Sequence, residues 1–138
     1  MTKLKELVGQ QQRVVSISSR ATVRDASKAM AEANVGCAAI MEGSKLVGIF
    51  TERDILKRVL LQNLDVDQVV IDEVMTKDII CSGDDQSAND ARILMERHHI
   101  RHLPVLEEDG SLLGVLSIRD LILDHVAEMR DYIKMHEG

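Results

Sequence analysis

Two short segments of the chain carry the side chains best suited to bind a polar ligand. Residues 48–54 and 114–120 share the pattern Gly-φ-φ-(Thr/Ser)-x-Arg-Asp, in which φ is an apolar residue. An apolar run comes before the hydroxyl residue, and an aspartate follows three positions after it. That spacing predicts a helix N-terminus, because an N-cap hydroxyl and a carboxylate at the third helical position satisfy free backbone N–H groups.

The same groups are also suited to a nucleotide. A carboxylate can accept both hydroxyls of a ribose, while helix N–H groups and the capping hydroxyl face phosphate oxygens. Three features favour this interpretation: the pattern occurs twice, it follows a strand each time, and Gly48 and Gly114 would let the backbone approach a ligand. Capping and ligand binding are compatible, and both stay open.

The pattern belongs to a longer repeat. Residues 22–56 resemble residues 87–122 at an offset of 65, which becomes 66 after one extra residue in the second copy's turn. A unit of this length that occurs twice predicts a pseudo-twofold pair, not a solenoid. A ligand site is therefore expected where the copies meet. The identical pairs are Asp25/Asp90, Ala26/Ala91, Met30/Met95, Leu46/Leu112, Gly48/Gly114, Arg53/Arg119 and Asp54/Asp120.

Hydrophobic periodicity predicts the order β-α-β-β-α in each copy. The fold class is therefore α/β, of the α+β type, with two small sheets paired face to face and flanked by helices. A chain of 138 residues predicts one domain and one shared core. The predicted strands are 14–17, 38–42 and 46–50 in the first copy and 79–81, 103–107 and 112–116 in the second, and the helices begin after Thr22, Thr51, Ser87 and Ser117.

The predicted domain covers residues 1–138. It divides into repeat 1 at about 10–62, a linker at about 63–75, repeat 2 at about 76–127 and a last helix that ends at about 136, and a short helix is expected near 69–75. The last helix keeps three apolar residues on one stripe, which favours a homodimer. These residues are Val126, Met129 and Ile133.

Composition excludes several classes of protein. The net charge of -6 and the pI near 5.3 argue against nucleic-acid binding. The sequence has neither a leader nor an apolar run long enough to span a membrane, so we expect a cytoplasmic protein. His98, His99 and His102 have no Cys or carboxylate at ligand spacing, so no metal site is predicted, and His98 fits a core or interface position.

The chain resembles the cystathionine-β-synthase (CBS) domain family in the tandem arrangement called a Bateman module. The resemblance covers about residues 10–126. It implies two related clefts for adenosine-containing ligands and regulation instead of catalysis. Its carriers are Thr-Val-Arg-Asp-Ala at 22–26, Gly-Ile-Phe-Thr-Glu-Arg-Asp-Ile at 48–55, Val-Met-Thr at 74–76, Arg-His-Leu-Pro-Val at 101–105 and Gly-Val-Leu-Ser-Ile-Arg-Asp-Leu at 114–121.

The resemblance implies that each cleft takes its base contacts from one copy and its ribose and phosphate contacts from the other. In the main predicted cleft, Val15, Val35 and Gly36 contact the base. The ribose and phosphate contacts are Ser117, Asp120, Arg101, His102 and the neighbouring Arg119.

The second predicted cleft is less suited to bind a phosphate than the main cleft. Its positions equivalent to Arg101 and His102 are Gly36 and Cys37, which cannot neutralise a phosphate. Arg53 and Lys77 are the candidates to compensate. The base contacts expected here are Thr76, Ile80 and Ile100, and the ribose contacts are Thr51 and Asp54.

We therefore predict a regulatory module that senses AMP, ADP, ATP or NAD(H), with S-adenosylmethionine less favoured, and acts in trans on an unidentified protein partner. No catalytic residues and no catalytic cofactor are predicted. One alternative is a constitutive structural or interaction module without tight ligand binding. Another is a nucleotide hydrolase, which is disfavoured because no nucleophile, base and orienting group are evident as a set.

Overall fold

The computed structural model describes residues 2–9 and 14–136. The first copy follows the predicted order of elements, and a π-helical segment continues its second helix. Its elements are β1 (Ser16–Ser18), α2 (Val23–Ala33), β2 (Cys37–Glu42), β3 (Lys45–Thr51), α3 (Glu52–Asp54) and the π-helical segment (Ile55–Leu60), and α1 (Leu4–Val8) precedes them.

The second copy follows the same order after a linker that contains α4 (Ile71–Val74). In each copy the first strand pairs parallel with the second, and the second pairs antiparallel with the third. The elements of the second copy are β4 (Ser82–Gly83), α5 (Ala88–His98), β5 (His102–Leu106), β6 (Leu112–Ser117) and α6 (Ile118–His136). Two three-stranded sheets result, with the strand orders β1-β2-β3 and β4-β5-β6.

Hydroxyl N-caps begin α2 and α5 as predicted. Thr22 accepts a hydrogen bond from the Asp25 N–H at 3.2 Å, and Ser87 accepts one from the Asp90 N–H at 3.1 Å. At the end of α5, His98 is exposed, so a core position for this histidine is wrong and an interface position stays a prediction. The helix buries Ala88, Ala91 and Met95 and ends at His98. The buried stripe of the helix therefore ends at Met95, before it reaches this histidine.

The prediction of a strand at 79–81 is wrong. The ladder of the second sheet begins at Ser82, which pairs with Val105. Ile79 and Ile80 are partly buried outside the ladder, and Ile80 packs against the core of the second copy. Their β-branched character therefore reflects burial at the seam between the copies and not strand pairing.

The prediction of one shared core is also wrong, because the buried residues form two clusters. One cluster combines the first copy with linker residues Ile71, Val74 and Met75. The other combines the second copy with Leu4, Leu7 and Val8 of α1.

The two clusters follow from an exchange of segments between the copies. The linker, which precedes the second copy, packs on the first, and the Ile71 N–H donates to the Ala21 carbonyl at 2.8 Å. Helix α1, which precedes the first copy, packs on the second, and the Leu4 N–H donates to the Gln86 carbonyl at 2.9 Å. Within the described residues, no helix is long and apolar enough to cross a membrane.

Candidate functional site

Both Gly-φ-φ-(Thr/Ser)-x-Arg-Asp segments form helix N-termini, and the predicted capping is confirmed. In the first, the Thr51 N–H donates to Asp54 Oδ2 at 3.0 Å and the Asp54 N–H donates to Thr51 Oγ1 at 3.3 Å. In the second, the corresponding distances between Ser117 and Asp120 are 2.9 and 3.2 Å. Each aspartate therefore stabilises the first turn of its helix.

Asp54 also binds side chains outside its own cap, because it lies where the linker meets the first copy. Its side chain is buried, with 6% of the residue exposed. The Thr76 hydroxyl donates to Asp54 Oδ1 and Oδ2 at 3.2 and 3.3 Å, and Arg58 Nε lies 3.4 Å from Oδ1. Asp120 is only half-buried.

Gly48 provides space for the linker. A Cβ at this position would lie 2.4 Å from Met75 Sδ and 2.9 Å from Met75 Cγ. The next residue, Ile49, exchanges two backbone hydrogen bonds with Thr76, at 2.8 and 2.9 Å. The expectation that Gly48 lets a ligand approach is therefore wrong, because the Met75 side chain fills that space.

A cavity of about 420 Å³ lies beside Asp54 at the seam. Its wall combines apolar residues, the Thr51–Asp54 cap and several charged side chains, and it draws on both copies. The residues that line it are Gly36, Ile49, Thr51, Glu52, Arg53, Asp54, Lys57, Arg58, Thr76, Asp78, Ile79, Ile80, Ile100, Arg101 and His102.

The cavity brings together six of the seven residues predicted for the second cleft. It also includes Gly36, Arg101 and His102, which the sequence assigns to the main cleft. The seventh, Lys77, is exposed and forms an ion pair with Asp72 at 3.8 Å instead. The six residues are Thr51, Arg53, Asp54, Thr76, Ile80 and Ile100.

The other residues predicted for the main cleft lie outside this cavity. Val15 and Val35 pack against the first core cluster. Ser117 and Asp120 form the cap of α6, and Arg119 is exposed. By the repeat, the counterparts of residues 76–78 are residues 11–13, which lie outside the described residues.

His102 is half-buried at the seam. Burial lowers the pKa of His102 below its usual value of 6.5, and Arg101 lowers it further, while the carboxylates of Glu52 and Asp120 act in the opposite direction. A Cβ on Gly36 would lie 3.3 Å from Glu52 Cδ and 3.4 Å from His102 Cε1. The glycine therefore leaves room for Glu52 and His102 to approach the same point from different copies.

The model of the CBS domain family matches residues 4–61 and 71–124. The chain belongs to the CBS domain family. The two matches correspond to the two copies, so the chain is a CBS pair. The first match includes α1, although α1 packs on the second copy.

Two relatives illustrate how this CBS pair compares with known proteins. An uncharacterised 17.7 kDa protein of Acidianus ambivalens is 37% identical over 110 residues, which cover 79% of this chain and 65% of that protein. The CBS domain-containing protein YhcV of Bacillus subtilis is 32% identical over 114 residues, or 83% of this chain and 80% of that protein.

Solved structures share the same fold. A CBS-domain protein of Burkholderia ambifaria has a TM-score of 0.85 at 32% identity and covers 91% of this chain and 95% of its own. A Pyrobaculum aerophilum CBS domain protein complexed with AMP has a TM-score of 0.79 at 31% identity, with coverages of 91% and 98%. The CBS domain pair of protein MJ0100, in complex with 5′-methylthioadenosine and S-adenosyl-L-methionine, has a TM-score of 0.81 at 26% identity, with coverages of 93% and 98%.

Several lining residues of this CBS pair were not predicted from the sequence. The sequence does indicate that Arg58 lies near Asp54, because it follows Asp54 by four residues on a predicted helix, a spacing at which opposite charges meet. Nothing in the sequence indicates that Ile49 lines a cavity, since a strand residue of this kind is expected in the core. The others that were missed are Glu52, Lys57, Asp78 and Ile79.

Arg53 ties the two copies of the CBS pair together. Its Nη1 group donates to the His99 carbonyl at 3.5 Å, and His99 is the left-handed residue that ends α5. Arg53 therefore approaches a helix C-terminus, where a cation complements the helix dipole.

Cys37 is not activated in the way that redox chemistry requires, because that chemistry needs a lowered thiol pKa. Burial, with a smaller contribution from Asp54, raises the pKa of Cys37 to about 12. Cys81 is exposed, and both thiols are free. Among residues 2–9 and 14–136, no three His, Cys, Asp or Glu side chains are grouped so that they could hold a metal ion.

Proposed function

We propose that this CBS pair is a regulatory module that binds an adenosine-containing nucleotide in the cavity beside Asp54. The observation that carries the proposal is the composition of that cavity, in which isoleucines, a buried carboxylate and four cations from both copies line one space. Its volume of about 420 Å³ is within the usual range for small-molecule sites. The AMP complex and the 5′-methylthioadenosine and S-adenosylmethionine complex of the two similar proteins support an adenosyl ligand.

The base and the ribose have suitable partners in this cavity. Ile80 and Ile100 offer apolar surface to an adenine ring. A carboxylate has about four lone-pair positions, so Asp54 can accept from a ribose hydroxyl in addition to the Thr51 N–H and the Thr76 hydroxyl.

The charges favour phosphate. Four cations line the cavity against three carboxylates, and the buried Asp54 already faces Arg58. An excess of cations favours AMP, ADP, ATP or NAD(H) over S-adenosylmethionine, whose sulfonium group is positive. The cations are Arg53, Lys57, Arg58 and Arg101, and the carboxylates are Glu52, Asp54 and Asp78.

This proposal reverses the order of the two clefts that the sequence predicts. Arg101 and His102 line the Asp54 cavity, so they can supply the phosphate contacts that Gly36 and Cys37 cannot. We propose that the remaining predicted residues form a second and weaker site. They are Val15, Val35, Ser117, Arg119 and Asp120.

We further propose that the module is a cytoplasmic homodimer that regulates a protein partner in trans. Exposed apolar residues occupy matched positions in the two copies, Leu56 with Ile122 and Leu60 with Val126. A face with internal pseudo-twofold symmetry suits pairing about a twofold axis. Light scattering at micromolar concentration should show a dimer, and Val126→Glu should convert it to a monomer. A wild-type monomer would contradict this.

A titration panel tests the proposed ligand class. AMP, ADP, ATP, NAD and S-adenosylmethionine are titrated into the chain by calorimetry, with GMP as the control for the base. We expect the phosphorylated adenosine ligands to bind at least about tenfold more tightly than GMP, which corresponds to about 1.4 kcal/mol. ATP incubated with magnesium should be recovered intact. If no ligand in the panel binds, the constitutive interaction module is the better account.

A further inference from the structure

Arg58 connects the cavity to the linker. Its Nη1 group donates to the Met75 carbonyl at 3.3 Å, while its Nε lies 3.4 Å from Asp54 Oδ1. The side chain also lines the cavity and is 52% exposed, so it can reorient without disturbing the core. One guanidinium group thus contacts both the proposed ribose-binding carboxylate and the segment that docks on the first copy.

A bound nucleotide would compete for both contacts. Its ribose hydroxyls would donate to Asp54, and its phosphate would offer oxygens to the guanidinium group. Arginine matches the geometry of phosphate oxygens and binds them with two parallel hydrogen bonds. A neutral backbone carbonyl such as that of Met75 is a weaker partner for a cation than a phosphate. Phosphate therefore favours the transfer of Arg58 away from the linker.

This arrangement belongs to one copy. Arg58 lies in the π-helical segment Ile55–Leu60, and π-helical turns are rare and frequent at functional sites. The second copy has Asp124 at the equivalent position and continues as the regular helix α6. Four residues after the aspartate of the motif, the first copy therefore has a cation that contacts the linker, and the second copy has an acidic residue.

We propose that Arg58 determines specificity for phosphorylated adenosine ligands and reports their binding to the linker. The inference rests on the proposed nucleotide site and adds its means of regulation. Adenosine leaves Arg58 on the Met75 carbonyl. AMP draws Arg58 to its phosphate, which loosens the linker at residues 74–76, where it is held by the Met75 N–H to Ile71 bond and the Thr76 N–H to Ile49 bond.

Hydrogen exchange of the backbone amides at 74–76 tests this, with AMP and adenosine compared at equal occupancy. AMP should speed exchange there by about fivefold relative to adenosine in the wild type. Arg58→Gln should abolish the difference and reduce the ratio of AMP to adenosine affinity by about tenfold. Arg97→Gln is the control, because Arg97 is an exposed cation on α5 outside the cavity, and it should keep both the exchange difference and the affinity ratio.

The outcomes separate this inference from the proposed function. If the wild type binds AMP but Arg58→Gln keeps both the affinity ratio and the exchange difference, the role of Arg58 is wrong and the nucleotide site stands. If the wild type binds neither AMP nor adenosine, the proposed function fails, and the inference fails with it. Arg58→Lys keeps the charge and should give an intermediate affinity ratio, whereas a purely structural role would leave that ratio unchanged in every folded variant.

Discussion

Asp54 and Asp120 occupy equivalent positions in the two copies, yet their surroundings differ. Both cap a helix through the same pair of hydrogen bonds. Asp54 is buried, accepts a bond from Thr76 and lies beside the cavity, whereas Asp120 is half-buried at the start of α6. The repeated motif itself therefore determines the helix caps. The cavity beside Asp54 depends on the other segments of the chain that pack against the first motif.

The difference arises from segments outside the motif. The linker brings Thr76 to Asp54, and the second copy brings Arg101 and His102 to the same cavity. A comparison of the two copies as sequences cannot show this, because each of these contacts joins residues from different parts of the chain.

The largest expected effect comes from removing the space that the linker needs. Gly48→Ala places a methyl group against the buried Met75, and overpacking of this kind costs about 1–3 kcal/mol. Urea unfolding should show that loss. Gly36→Ala is the matched control, because its methyl group meets the exposed Glu52 side chain, which can move. Equal losses of unfolding free energy in the two variants would contradict the view that Gly48 is needed for the packing of Met75.

An intermediate effect is expected from the cation that the second copy contributes. Arg101→Ala should weaken AMP by about tenfold and adenosine much less, because a charge-assisted bond to phosphate contributes about 1.5–3 kcal/mol at most. Calorimetry with both ligands measures the difference, and Arg97→Ala, at an exposed position on α5 outside the cavity, is the control. If AMP and adenosine lose affinity equally, Arg101 stabilises the fold or contacts the adenine base and does not bind the phosphate.

The repeat and the hydroxyl caps were sufficient to predict most of the fold. Thr22, Thr51, Ser87 and Ser117 mark helix starts because their chemistry is local. The separate cores were not predictable in this way, since the docking of α1 and of the linker depends on contacts between distant parts of the chain. The prediction of a strand at 79–81 was wrong because Ile79 and Ile80 are partly buried in the wall of the cavity, and a short apolar run does not distinguish such burial from strand pairing.

The resemblance to CBS domains predicted only part of the grouping of the cavity residues. Thr51, Asp54, Ile80 and Ile100 were assigned to one cleft and line one cavity, but Arg101 and His102, which were assigned to the other cleft, line the same cavity. Thr76 was expected to contact the base, but its hydroxyl donates to Asp54. The spacing of Arg58 from Asp54 indicated an ion pair, but the contact of Arg58 with the Met75 carbonyl joins a helix to a distant linker residue and was not predictable from the spacing.

The smallest expected effect is a pH dependence at His102. Because the pKa of His102 is lowered in the folded chain, the unfolded chain binds the proton more readily. The stability linked to this residue is therefore present above the unfolded pKa of about 6.5 and is lost as the pH falls below it. Urea unfolding at pH 7.5, 6.5 and 5.5 should show a smaller loss for His102→Gln than for the wild type. An identical pH profile would show that His102 does not contribute.

The most direct test of the central claim compares Asp54→Asn with Asp120→Asn. The claim is that the Asp54 cavity is the tight nucleotide site, although both aspartates cap helices. Calorimetry with AMP on the two folded variants should show a loss of about tenfold or more for Asp54→Asn, since an ionised acceptor of ribose hydroxyls is removed. Asp120→Asn should keep tight binding. Retention by Asp54→Asn together with loss by Asp120→Asn would contradict the account and restore the order of clefts that the sequence predicts.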